Sequence, residues 1–217
     1  MTIRLHCFGE SGNAYKAALT LELAGIGWEP VFVDFFHGET RGPAFRALNP
    51  MGEVPVLVDG DLVLTQSGVI QDYVAEISGR LGAPDAAGRR EILRWILFDN
   101  HKNSGIAGPV RFNMNFLAPE RRSEEVNAFL RARHGAAMRV LDACLAGRDW
   151  LVGDGPTIAD IANCGYLFYP EPFGFERAAY PNIDAWLGRI AALPGWKHPY
   201  DLMPGSPANR APEGGDA

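Results

Sequence analysis

At 217 residues, 47% of them hydrophobic and 21% charged, the chain has the length and composition of a globular protein with one large or two smaller cores, not of a disordered or fibrous one. Its three cysteines, Cys7, Cys144 and Cys164, show neither CxxC nor Cys/His spacing, which argues against a disulfide framework and a metal site and for a reducing, cytoplasmic setting. The net charge of −6 is uneven, with five Lys/Arg against ten Asp/Glu in residues 1–80 and fifteen against sixteen beyond, and it weighs against a nucleic-acid partner.

The opening "MTIRLHCFGESGN" turns polar after a few residues, unlike a secretory signal, and no apolar run approaches membrane-spanning length, so a soluble protein with no membrane partner is expected. From Ile3 to Phe8 apolar residues alternate, which predicts a strand. Ala14, Ala17, Ala18 and Leu21 then share one helical face, and Gly25 and Gly27 stop that helix before a second strand around "WEPVFVDF". A short helix is predicted in "GPAFRALN", then strands over 54–58 and 61–64 joined by Asp59-Gly60, a tight-turn signal. Val69, Ile70, Tyr73, Val74 and Ile77 complete a helical stripe. The order β-α-β-(α)-β-β-α is that of a thioredoxin-like domain, here residues 1–80.

"ISGRLGAPDAAGRR" breaks the composition with Gly, Pro and Ala and reads as a linker over 81–86. Residues 87–203 read as an all-helical domain: a helix over 88–104 continuing past Pro109, one over 123–145 capped by Ser123 and stopped by Gly147, and two shorter ones from Thr157 and from Pro181. Thr157 and Asp160 have the spacing of a capping box, a structural signal. Residues 204–217 hold little apolar content and are expected to be disordered.

"NPMGEVPVL" (Asn49 to Leu57), "TQSGVI" (Thr65 to Ile70) and "TIADIA" (Thr157 to Ala162), in this order across a thioredoxin-like and a helical half, resemble the soluble glutathione transferase family over nearly the whole chain. The resemblance implies a cis peptide bond before Pro55, with the Val54 backbone open to pair with glutathione as an added strand. It also implies that Gln66 takes the ammonium and Ser67 the α-carboxylate of the γ-glutamyl end, at a helix start that favours anions. By themselves, Pro55 reads as edge-strand protection and Ser67 as a helix cap.

In "GESGN" the resemblance places the thiolate site, as in bacterial members with Ser or Thr and Asn there: Ser11 as donor to the glutathione sulfur and Asn13 as a second donor, bonds that favour the charged form. Ser11 alone reads as a helix cap. No cysteine stands in that loop, unlike in members that run redox chemistry through their own thiol. His101 and Lys102 resemble a pair near the thiol end in beta-like members, and Phe112, with Met114 and Phe116, would wall the electrophile pocket; a solvated helix end and ordinary core are the plain readings. Glu53 stands where many relatives carry a cation, and Arg41 or His37 would compensate.

The expected activity is transfer of the glutathione thiol to small hydrophobic electrophiles, with glutathione as co-substrate and no metal. Glutathione-dependent disulfide or peroxide reduction on the same site is an alternative, and a non-catalytic glutathione-binding scaffold is one of a different class. A homodimer is implied, with the thioredoxin-like half of one chain against the helical half of the other.

Overall fold

The computed structural model describes residues 2–205, which form two compact units: residues up to Gly79 joined by the segment from Lys197, and Arg80–Trp196. In the first, β1 (Ile3–Cys7) buries Ile3, Leu5 and Cys7 as its alternation predicts. The helix α1 (Gly12–Ala24) is capped by Ser11 and ends at Gly25, whose φ of 75° closes it in the left-handed region. It is buried almost all round, with Tyr15, Lys16, Leu19 and Thr20 joining the predicted apolar face. β2 (Trp28–Phe32), a 3₁₀ turn at Glu39–Arg41 and α2 (Pro43–Leu48) follow.

The next two strands begin later than the sequence predicts. β3 spans Val56–Asp59, because Pro55 has no N–H to give a ladder, and β4 spans Leu62–Thr65, starting where the turn ends. Their turn is Gly60-Asp61 rather than Asp59-Gly60: Asp59 still pairs with Leu62, and Gly60 takes the left-handed position at φ 59°. The sheet order is β2-β1-β3-β4, with β2 parallel to β1 and β3 and β4 antiparallel to their neighbours. In α3 (Ser67–Ser78), Ile70, Gln71, Val74 and Ala75 are buried, while Val69 and Ile77 from the predicted stripe are exposed. Gln71 occupies the packed face because its Nε2 donates to Thr20 Oγ1 of α1 at 3.1 Å.

The last described stretch returns to α1. Tyr15 Oη donates to the Lys197 carbonyl at 2.8 Å, Lys197 Nζ meets Glu22 at 2.5 Å, and Gly9 N–H donates to the Pro204 carbonyl at 2.7 Å. The expected disordered tail lies outside the described residues from position 206 onward.

The second unit is helical. α4 (Ala86–Phe98), capped by Asp85, runs through a π-helical segment, Asp99–Asn103, into α5 (Ser104–Asn115), which carries Pro109. α6 (Glu124–Leu145) starts at the Ser123 cap, and α7 (Ile158–Cys164) and α8 (Pro181–Ala191) surround a core that includes Trp95, Met138, Leu141 and Trp186. The capping box is formed, and Asp160 Oδ1 also accepts from Leu151 N–H and Trp186 Nε1–H, both at 2.9 Å. One short helix escapes the sequence reading, α9 (Pro199–Leu202), in the segment that packs on α1. No helix of the described residues is long and apolar enough to cross a membrane.

Candidate active site

Sheet register gathers the predicted residues of the first unit. Cys7 pairs with Phe32, His6 with Val56 and Val56 with Thr65, so the last residues of β1, β2 and β4 and the first of β3 lie along one sheet edge. The starts of α1 and α3 follow β1 and β4 directly, which brings two helix N-termini to that edge. Ser11, Asn13, Val54, Pro55, Gln66 and Ser67 all stand there.

Ser11 is 8% exposed and its Oγ accepts the Ala14 N–H at 3.1 Å, so the cap reading holds. The bond uses a lone pair and leaves the hydroxyl proton, which donates to no group among the described residues. Asn13, two residues on and half-buried, accepts from Lys16 Nζ through Oδ1 at 2.9 Å. Lys16 is fully buried and escaped the sequence reading, since helical spacing alone places a lysine in solvent. Nearby Cys7 is fully buried, and loss of solvation pushes its thiol up to about 12, so it stays a protonated apolar side chain.

At the start of β3 the Val54–Pro55 bond is cis, as the resemblance implies. The ladder partners of β3 begin at Val56, so the Val54 N–H and C=O carry no strand partner. Asn49, 1% exposed, clasps the preceding loop: its Nδ2 donates to the Glu53 carbonyl at 2.7 Å and its Oδ1 accepts from Met51 N–H at 3.1 Å. In the sequence Asn49 stands out only as part of the "NPMGEVPVL" stretch, without this clasp.

The third helix corrects the capping alternative for Ser67. The cap residue is Gln66, at φ 68° and with no side-chain cap bond, and Ser67 is the first helical residue. Its buried hydroxyl has no partner among the described residues. The Gln66 Nε2 lies 3.4 Å from Met51 Sδ, and its amide oxygen has no hydrogen-bond partner among the described residues. One acceptor and one hydroxyl therefore flank the open N–H groups of the α3 start.

His37 and Arg41 differ. The His37 ring is held by both Asp34 oxygens, at 2.7 and 2.9 Å. Arg41, exposed at the end of the 3₁₀ turn, forms no ion pair among the described residues, and neither does exposed Glu53. His101 and Lys102 are exposed in the π-helical segment, while Phe112 packs at 6.1 Å from Phe116. These three belong to the second unit. No cluster of three or more metal-ligating side chains occurs among the described residues.

A mixed four-stranded sheet, an open backbone edge at a proline and two helix starts offering hydroxyl and amide groups define a thioredoxin-like protein whose site suits a small anionic peptide. The family models for the glutathione S-transferase N-terminal domain and C-terminal domain match residues 1–76 and 111–194. Glutathione S-transferase 3 of Zea mays is 32% identical over 93% of this chain and 95% of its own. A solved glutathione S-transferase from Xanthobacter autotrophicus superposes with a TM-score of 0.85 at 34% identity, over 93% of this chain and 98% of that one. Another, a glutathione transferase from Burkholderia graminis with two glutathione molecules bound per subunit, gives 0.81 at 29% identity, over 89% and 85%. The chain belongs to the glutathione S-transferase family.

Proposed function

We propose that this glutathione transferase joins the glutathione thiol to small hydrophobic electrophiles, with Ser11 and Asn13 holding the sulfur as a thiolate. The carrying observation is the Ser11 hydroxyl, which accepts the Ala14 N–H at 3.1 Å and keeps its own proton to donate. A donor to the charged form lowers the thiol pKa, and the thiolate is the attacking species. Val54 pairs with the peptide backbone, and Pro55 shapes the rim of that edge. The Gln66 amide oxygen takes the ammonium, while the Ser67 hydroxyl and the α3 start take the α-carboxylate. Arg41, whose charge is unspent, takes the glycine carboxylate and offsets Glu53; His37 is committed to Asp34. His101, Lys102 and Phe112 line the electrophile pocket. The protein works as a cytoplasmic homodimer, a setting supported by three free cysteines.

Disulfide reduction is a second reading, favoured by one observation: the Burkholderia relative holds two glutathiones per subunit. Cys7 is locked as a thiol, so the second sulfur would come from a second glutathione rather than from the protein.

Ser11→Ala tests the first reading. Its expected effects are a loss of about 1 kcal/mol in stability from the cap and a roughly tenfold fall in the proton concentration that protonates half the bound thiol, that is, a pKa about one unit higher than in the wild type. Ultraviolet absorbance of the thiolate against pH measures it, and an unchanged midpoint rules Ser11 out. Initial rates with an aryl halide and with a mixed disulfide separate the two activities.

A further inference from the structure

We infer that Lys16 is a positioning residue for the thiolate site: it turns the Asn13 amide so that the N–H end, not the carbonyl, is presented to the sulfur. The inference rests on the reading of the Ser11 loop as the thiolate site. Lys16 is fully buried on α1, one helical turn beyond Asn13, and its Nζ donates to Asn13 Oδ1 at 2.9 Å. Asn13 itself is only half-buried. The amide is thus held by its oxygen from the protein side, and its Nδ2, which bonds to nothing among the described residues, is the end left over.

That orientation matters because the two ends of an asparagine amide are nearly equal in size and opposite in sign. A free Asn13 could present either. With the carbonyl toward the site, a developing thiolate would meet a partial negative charge and its pKa would rise; with the N–H end it gains a donor and its pKa falls. A lysine has donors only, so it bonds the oxygen and cannot bond the nitrogen end. One buried amino group therefore converts an ambiguous side chain into a fixed donor, without touching the substrate.

The test is Lys16→Met, with the bound thiol titrated by thiolate absorbance and turnover followed against pH. The expected result is about a tenfold smaller thiolate fraction below the midpoint and a comparable fall in kcat/KM, with S-methylglutathione, which has no ionisable thiol, binding within about twofold of the wild type. Lys16→Arg, which keeps a donor for Oδ1, restores the titration. In an Asn13→Ala background Lys16→Met adds nothing, as expected for a group acting through Asn13. A folded Lys16→Met protein with an unchanged midpoint overturns the inference, as does a shift that persists in full without Asn13. Should Lys16→Met fail to fold, the Asn13 side-chain amide signals of the wild type decide. They move on binding glutathione as thiolate and not on binding S-methylglutathione, and an equal response to both ligands overturns the inference. A wild type that binds no glutathione removes the site reading itself, whereas an active wild type with an indifferent Lys16 removes only this inference.

Discussion

His134, on α6, is 1% exposed, with its ring 5.5 Å from Phe173 and its Nε2 3.0 Å from Asn103 Oδ1. Asn103 spends its Nδ2 on Asp99 Oδ1 and the Asn163 carbonyl, so its oxygen accepts and the histidine proton sits on Nε2. The buried Nδ1 has no hydrogen-bond partner among the described residues, and burial lowers the His134 pKa from 6.5 to about 4. Below 6.5 the unfolded chain takes up a proton that the folded chain refuses, so this stability is complete above that pH and is lost as pH falls toward 4. The loss reaches about 3 kcal/mol, at no more than about 1.4 kcal/mol per pH unit. Urea unfolding at a series of pH values should show His134→Gln losing less stability than the wild type across that window; parallel curves would remove the effect. At this scale the groups that stand at turns were legible in the sequence. Ser11, Asn13, Gln66 and Ser67 could be placed because strand and helix patterns end beside them. Lys16, Asn49 and His134 could not, since each is defined by a partner contact and by burial that spacing along one helix or loop does not encode.

Among the elements, the least legible is the π-helical segment Asp99–Asn103, where the sequence suggested one uninterrupted helix. A π segment is one extra residue in an otherwise continuous turn, and it leaves the apolar period nearly intact on either side. Its marker is Gly105. A Cβ there would lie inside van der Waals contact of the Asn100 carbonyl oxygen, a backbone atom that cannot step aside alone. Gly105→Ala should therefore destabilise the protein by about 1–3 kcal/mol, although alanine is intrinsically favoured over glycine in helices by about 1 kcal/mol. Gly188, exposed on α8, has open space where its Cβ would go, so Gly188→Ala should stabilise by about 0.5–1 kcal/mol. Thermal melts of the two variants should move in opposite directions. A gain for both would mean that the π segment yields without cost. The strands of the first unit were legible to within about three residues, and the late start of β3 has a definite source, the missing N–H of Pro55.

For the whole molecule, sequence order was enough to separate a thioredoxin-like half from a helical half, because strand and helix periods do not mix across position 80. It did not reveal that the stretch from Lys197 packs with the first unit, since nothing in "KHPYDLMPG" names α1 as its partner. Nor did it reveal which apolar residues would stay outside. In the first unit Leu62 and Val63 on the edge strand β4 and Val69 and Ile77 on α3 are 40–51% exposed. In the second, Leu93 and Leu97 lie four apart on α4, and Val126, Phe129 and Val140 fall on one face of α6, with Phe129 61% exposed. An uncovered apolar edge strand invites association, and monomers rarely expose large contiguous apolar patches. The homodimer proposed above would cover both sets if it laid the first unit's set against the second unit's set on the other chain. Such an interface would bury about 1,200–2,000 Å² in all. Either Val69→Glu or Phe129→Glu should then dissociate the dimer by itself, because each lesion appears at both symmetry-related contacts. Sedimentation velocity at micromolar concentration should give the mass of two chains for the wild type and of one for each variant. Dissociation by Phe129→Glu alone would point instead to pairing between like helical units, and a wild-type monomer would leave both sets facing water and end the argument.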